Sequence, residues 1–351
     1  MLGFLWNLLM FVIVLGVIVF IHELGHFTWA KIAGVYVYEF ALGMGPKLYG
    51  KKIGETEYTI RLIPIGGFCS MAGEDLEADD QEKIPKEKRL QSKSCLQRFL
   101  IMFFGPGNNF ILTLVLLLFI GLVWGGTTMN PVVSSVMEDF PAQKVGISKG
   151  DKILEVNGYK VKTSDDASLY LAIADTKNEN SIKVLKPNGY EITYKVKPKK
   201  VKEDGNTGYY FGITMKQKKT HGIVNSLKYM GGKFCSLLKQ MLLTLKFLFT
   251  GKIGLGQLSG PVGIYSVVGE QSRAGIQNIL FLIAYLSLNV GFLNLIPLPA
   301  FDGGHILFIV IEMIRRKPVS PELENKIHMV GLILLMGLML LVTINDIIKL
   351  F

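Results

Sequence analysis

Residues 4–26 read FLWNLLMFVIVLGVIVFIHELGH, an uncharged apolar run that passes without interruption into a HExxH motif. As a helix, positions 4–21 cover roughly 27 Å, close to the ~30 Å hydrocarbon core of a bilayer. If the helix continues, His22 and His26 are four residues apart, about 40° around the axis, on one face. Two imidazoles so placed can reach one Zn²⁺ and leave Glu23 beside the metal as general base. HExxH alone is short enough to arise by chance. Its place at the end of an apolar span gives it weight, because ionisable groups at membrane depth are costly and functional by default. The bland alternative is a structural histidine pair at the membrane boundary. A cleaved signal peptide would need a positive n-region before the run and a small-residue cleavage site after Ile21, and neither is present, so a retained helix is expected.

Working outward, the 351 residues are 50% apolar and only 19% charged, with a mean hydropathy of +0.37. A soluble chain usually carries about a quarter charged residues. Collagenous, disordered and disulfide-scaffold classes are excluded. Cys69, Cys95 and Cys235 show no CxxC spacing and read as plain thiols. The net charge of +10 fits cytoplasmic loops and lipid-facing surfaces better than nucleic acid once the chain is read as a membrane protein.

Further spans fall at 99–124, interrupted by Gly105-Pro106-Gly107, at 278–300, broken by Asn289, Asn294, Pro297 and Pro299, and at 328–344. A broken apolar segment is tolerable where it lines a protein cavity. Lys83 through Arg98, and Arg315-Arg316-Lys317, place the N-terminus and 126–277 outside and 30–97 and 315–326 inside by the positive-inside rule.

Residues 128–216 change character: charge rises, strand-like runs appear at Lys152–Val156 and Glu191–Val196, and Asn157-Gly158 and Pro187-Asn188-Gly189 mark turns. This predicts an α+β module of about 90 residues, enough for one small core. Its run 141–161, PAQKVGISKGDKILEVNGYKV, resembles a bacterial periplasmic PDZ domain, a fold that takes up peptides by strand addition. A spacer or size filter is the equal alternative. Beyond it, no acidic residue lies between Asp204 and Glu270, against eight lysines. Lys228, Lys239 and Lys246 fall within about 20° of one another on a helical wheel. An amphipathic interfacial helix with lysines snorkelling to water is expected; a fifth span at 234–250 is the rival and would bury Lys239 and Lys246.

A catalytic zinc needs a third protein ligand and an open position. His221 falls on the opposite side of the membrane from HELGH by the derived orientation, and His328 begins the last span. Asp302, in NLIPLPAFDGGH (294–305), falls on the same side as HELGH and is the better candidate. His305 as a fourth ligand would close the site, so it is expected to hold a neighbour in place instead. Asn108 and Asn109 are read as substrate contacts or as caps for a kink after Gly105-Pro106-Gly107.

HExxH at the end of a first span, with N-x-x-P-x-x-x-x-D-G (Asn294, Pro297, Asp302, Gly303) in a later one, resembles the site-2 protease family of intramembrane zinc metalloproteases, close to its bacterial RseP/RasP branch with one PDZ domain. EFALGMGPKL (39–48), RLIPIGGF (61–68), FGPGNNF (104–110) and SGPVGI (259–264) match in order. The resemblance implies one Zn²⁺ per protomer held by His22, His26 and Asp302, Glu23 as catalytic acid/base, and Asn294 on the substrate peptide or its oxyanion. It also implies a re-entrant hairpin at 39–68 beside the site. Tyr58 to Ile63 is a strand-like run whose exposed edge could accept an unwound substrate.

The expected fold is therefore a polytopic α-helical membrane protein of about four spans with an inserted α+β PDZ domain. Its parts are a first span with HExxH (1–30), a cytoplasmic-side loop (31–97) with the re-entrant hairpin, a second span (98–125), the extracytoplasmic PDZ (128–216), an amphipathic interfacial region (220–256), a broken third span with a following helix (278–315) and a fourth span (327–346). The expected function is zinc-dependent hydrolysis within or near the transmembrane segments of single-span proteins, such as anti-sigma factors or remnant signal peptides, in the plasma membrane of a bacterium. Expected partners are those substrates, the lipid bilayer and peptide termini at the PDZ groove, with no nucleic acid. A membrane-anchored zincin acting in water, and a non-enzymatic PDZ scaffold, are the rival readings. A transporter would need inverted repeats, which the two halves do not show.

Overall fold

The computed structural model describes residues 2–74, 84–203, 206–215, 218–252, 254 and 260–348; the first residue of SGPVGI and the ends of the expected 128–216 and 220–256 segments lie outside them. The chain forms two compact units, residues 1–116 with 255–351, and residues 117–254. The helices in chain order are α1 (Leu2–Ile32), α2 (Cys95–Ile120), α3 (Pro141–Lys144), α4 (Ser164–Ala172), α5 (Ile223–Phe249), α6 (Pro261–Ala274), α7 (Ile276–Leu295), α8 (Asp302–Arg315) and α9 (Pro321–Ile348). Among the described residues, four helical stretches are long and apolar enough to cross a membrane: Gly3–Ile32, Cys95–Gly125, Ile276–Leu295 and Glu322–Ile348. The protein is thus a membrane protein by element length and composition.

In the first unit, α1 continues unbroken from the apolar run through HELGH. Phe11, Val14 and Ile18 pack against Val268 of α6 and Ile279, Leu282 and Ile283 of α7. The helix α6 is not expected from sequence, because its Gly, Ser, Gln and Arg content gives no clean apolar period; one face of it is nonetheless used against α1.

The Gly105-Pro106-Gly107 run does not interrupt the second span. Helix α2 is continuous through it, with Pro106 inside. Proline costs one ladder hydrogen bond but has a helical φ, and the glycines serve close packing instead of a break. A Cβ on Gly25 would lie 1.9 Å from the Phe104 carbonyl oxygen, and one on Gly291 would lie 2.9 Å from that of Pro106. Helices α1 and α7 therefore both approach the backbone of α2 closely.

Between α1 and α2, strands β1 (Val37–Ile53) and β2 (Thr56–Met71) pair antiparallel. The ribbon bends where Gly43, Gly45 and Gly66 take positive φ, and it doubles on itself. Phe40 has Cys69 on one side and Tyr58 on the other; Leu42 has Gly67 and Ile60. This corrects the expected edge. Tyr58 to Ile60 are also paired with Tyr49 to Lys51, so they lie inside the sheet, and the strand runs on past Pro64 to Met71. Two segments have strand neighbours on one side only, residues 49–53 and residues 67–71. The tip of the ribbon is tied down by Glu55, which accepts from Lys31 at 2.8 Å and Lys88 at 3.0 Å.

In the second unit, strands β3 (Gly126–Thr127), β4 (Ser135–Val136), β5 (Lys152–Val156), β6 (Tyr159–Lys160), β7 (Asn180–Leu185), β8 (Glu191–Val196), β9 (Lys199–Glu203), β10 (Asn206–Tyr210), β11 (Ile213–Thr214) and β12 (Lys219–Thr220) follow. The sheet β6-β5-β7-β8 is antiparallel and encloses Ile153, Val156, Ile182 and Val184 with Ala167 and Tyr170 of α4. Thr163 and Asp166 form a capping box at the start of α4.

Helix α5 leaves Ile223, Val224, Leu227, Leu242 and Phe249 exposed and packs other apolar residues inward. Phe247, 1% exposed, belongs to the core of this unit. Lys239, its side chain 38% exposed, donates to Asp166 at 2.8 Å, while Lys233 donates to Asp165 at 2.7 Å. Lys228 and Lys246 are exposed. A wheel projection could not foresee that Asp165 and Asp166, at the start of α4, would be packed beside these lysines.

Candidate metal centre

The site is assembled by α1, α2 and the start of α8. His22 and His26 lie on one face of α1, as the i, i+4 spacing requires, and are 9% and 6% exposed. Asp302 is the first residue of α8. Its placement follows from the break before it: α7 stops at Leu295, ahead of Pro297 and Pro299, and Gly303 backs onto the end of α7. A Cβ on Gly303 would lie 2.2 Å from the Ile296 carbonyl oxygen, so only glycine lets the first turn of α8 sit there.

His22 Nε2 is 3.2 Å from Asp302 Oδ2, His26 Nε2 is 3.5 Å from Asp302 Oδ1, and the two Nε2 atoms are 3.2 Å apart. His26 Nδ1 is 2.9 Å from the carbonyl oxygen of Ile101. A carbonyl only accepts, so Nδ1 carries the proton and the Nε2 lone pair faces Asp302. The Asp302 side chain is only 17% exposed between the two imidazoles. Its Oδ2 is buried without a hydrogen bond. Imidazole nitrogens and carboxylate oxygens within 4.8 Å of one another, one oxygen left bare, suit a cation. A two-nitrogen, one-oxygen donor set fits zinc with a fourth position open.

The surroundings of Glu23 are set by β2. The Cys69 backbone N–H lies beside its carboxylate, and a Cβ on Gly67 would lie 3.5 Å from Glu23 Cγ. Asn294 lies half-buried in the last turn of α7, and its side chain makes no hydrogen bond among the described residues.

Asn109 caps no break, since α2 is continuous through it. It is fully buried, and its Nδ2 is 3.2 Å from His22 Nδ1. Asn108 reaches the Ile21 carbonyl oxygen at 3.3 Å. The sequence signal for Asn109 was its helical offset from Gly105, which shares the face turned to α1.

His305, Glu324 and His328 form a second cluster. The His305 and His328 rings stack with centroids 3.9 Å apart at 14°, so their in-plane lone pairs run side by side and cannot converge on one ion. His305 meets Glu324 at 3.1 Å, and His328 Nδ1 accepts from the Ala300 N–H at 3.1 Å. The cluster fixes the loop that leads into Asp302.

With the fold and this geometry in view, the chain belongs to Peptidase family M50, the site-2 protease family, whose model matches residues 10–338. It is a zinc metalloprotease. A Clostridium perfringens protein provisionally named as a zinc metalloprotease is 39% identical over 332 residues, covering 94% of this chain and 95% of that one. The zinc metalloprotease RasP of Bacillus licheniformis is 32% identical, over 97% of this chain and 98% of its own. The regulator of sigma-W protease RasP of Bacillus subtilis is also 32% identical, over 99% of this chain and all of its own.

Proposed function

We propose that the chain cleaves peptide bonds within or next to the transmembrane segments of single-span membrane proteins, anti-sigma factors and remnant signal peptides being the substrate classes in view. The observation that carries this is the placement of His22, His26 and Asp302: the metal trio is built on the continuation of an uncharged span and closed by a residue at the break after another.

His22, His26 and Asp302 would hold one zinc ion, which when bound supplies Lewis-acid polarisation of the scissile carbonyl and acidifies the attacking water. Glu23 takes the water proton and later delivers it to the leaving amine. The N–H of Cys69 orients its carboxylate for that exchange. Asn294, with a free amide, donates to the developing oxyanion. A helical amide is shielded, so the substrate must unwind before attack. Residues 67–71, paired on one side and lying over Glu23, offer the edge on which an extended substrate adds as a strand. In this reading the β1–β2 ribbon is the re-entrant hairpin, dipping into the membrane from the cytoplasmic side, and the α+β module is an outer PDZ domain that filters substrates by size or binds their trimmed ends.

The test is cleavage in lipid vesicles. A single-span substrate lacking its outer domain should be cut by the wild type and spared by Glu23→Gln, with the cut mapped by mass spectrometry to the apolar segment. Equal cutting of a water-soluble protein would favour the anchored zincin and sink the intramembrane reading.

A further inference from the structure

We infer that Asn109 is a positioning residue for the metal centre, setting the tautomer and orientation of His22 through an anchor on Ser287 of α7; this rests on the zinc-site reading above. Asn109, Thr113 and Ser287 are all fully buried. Ser287 Oγ is 3.0 Å from the Asn109 carbonyl oxygen and 3.2 Å from its Oδ1. Thr113 Oγ1 lies 2.9 Å from the same carbonyl and 3.0 Å from that of Ala284. The Asn109 amide is thus clamped from α7 while its far end meets His22 Nδ1 at 3.2 Å.

The two amide atoms are interchangeable in position, and the hydrogen-bond network decides between them. With Nδ2 toward His22, Nδ1 must accept, and the ring proton is forced onto Nε2, the atom aimed at Asp302 and His26. A ligand nitrogen there must be bare. With Oδ1 toward His22, Nδ1 carries the proton and donates it to Oδ1. Nδ2 then donates to Ser287 Oγ, whose own proton goes to the Asn109 carbonyl. Every group in the chain from Ser287 to His22 is satisfied, and the Nε2 lone pair is free. His26 achieves the same state by a different route, through the Ile101 carbonyl. Each imidazole therefore has its own acceptor on α2, one from the backbone and one from a side chain that α7 holds. Partners of this kind typically govern metal affinity by 10–100-fold.

The experiment uses the full chain in detergent and reads zinc retained against a graded chelator. Asn109→Leu, of similar size with no acceptor, is expected to weaken zinc retention by about tenfold or more. Asn109→Asp, which keeps an oxygen toward Nδ1, should restore retention to near wild type. Ser287→Ala, which frees the amide to rotate, should fall between them. Thermal unfolding of the zinc-stripped proteins separates folding losses from metal losses. Wild-type retention in Asn109→Leu overturns the inference, as does equal loss in Asn109→Leu and Asn109→Asp. A wild type that binds no zinc would instead overturn the metal-site reading on which the inference stands.

Discussion

Gly105 of α2 lies directly against the imidazole of His26: a Cβ at position 105 would stand 2.1 Å from His26 Nε2. The nitrogen aimed at Asp302 has the room it occupies because the facing helix presents bare backbone. Gly105→Ala should therefore displace the imidazole and strip zinc from the purified protein. Gly107→Ala is the matched control, since its Cβ would meet the Phe103 and Phe104 rings at an ordinary 3.4 and 3.5 Å. Zinc content in detergent reports both, and equal content in the two variants would remove Gly105 from this role.

Metal stoichiometry separates ligands from the base. About one zinc per chain is expected in the wild type and in Glu23→Gln, with loss in Asp302→Ala. Glu23→Gln should lower cleavage by about 10²–10⁴-fold, the usual contribution of a positioned acid/base. Unchanged zinc in Asp302→Ala would place the third ligand elsewhere.

The ribbon edge gives a different signature. At Gly67 an added Cβ would lie 2.8 Å from the Ala41 carbonyl oxygen and 3.2 Å from Val19. Gly67→Val should push residues 67–71 off Glu23, abolishing cleavage of membrane substrates with zinc content intact. A variant that cleaves normally would rule out strand addition here.

In the second unit, Asp166 serves both the α4 capping box and Lys239. Loss of an N-terminal cap costs about 1 kcal/mol, so Asp166→Ala should speed hydrogen exchange of the first α4 amides by roughly fivefold. Exchange at wild-type rates would show that packing alone holds the helix.

Thiol labelling tests the burial of β2. Burial, with the charges of Glu74 and Glu23, pushes the Cys69 thiol up, so its thiolate fraction falls, and raising the pH to 9 should not make it reactive. Cys235 is exposed and should label readily. Mass spectrometry counts the modified sites before and after unfolding.

What could be read from the chain followed from local periodicity. The apolar runs are long enough to be spans wherever they pack, and HExxH puts two imidazoles on one helical face because 3.6 residues per turn allows nothing else. The Asn-x-x-Pro-x-x-x-x-Asp-Gly spacing pointed to Asp302 through resemblance. The ribbon's doubling escaped a linear reading, since a strand's neighbours on two sides are set by glycine bends that leave no mark on its alternation. The pairing of Lys239 was hidden for a related reason: a wheel shows which residues share a face, not that Asp166 lies opposite.

By itself, then, the amino-acid order determined the membrane class, the helical pairing of His22 with His26, and the stop at Pro297 that ends α7. These depend on chain stiffness and on the transfer of apolar surface within one segment. Only the tertiary structure decided that Asp302 meets both imidazoles, that Gly105 leaves room for His26, and that Asn109 reaches His22 Nδ1. Those relations join residues dozens to hundreds of positions apart, and they exist only because glycine at 25, 105, 291 and 303 lets backbones approach more closely than any side chain would permit.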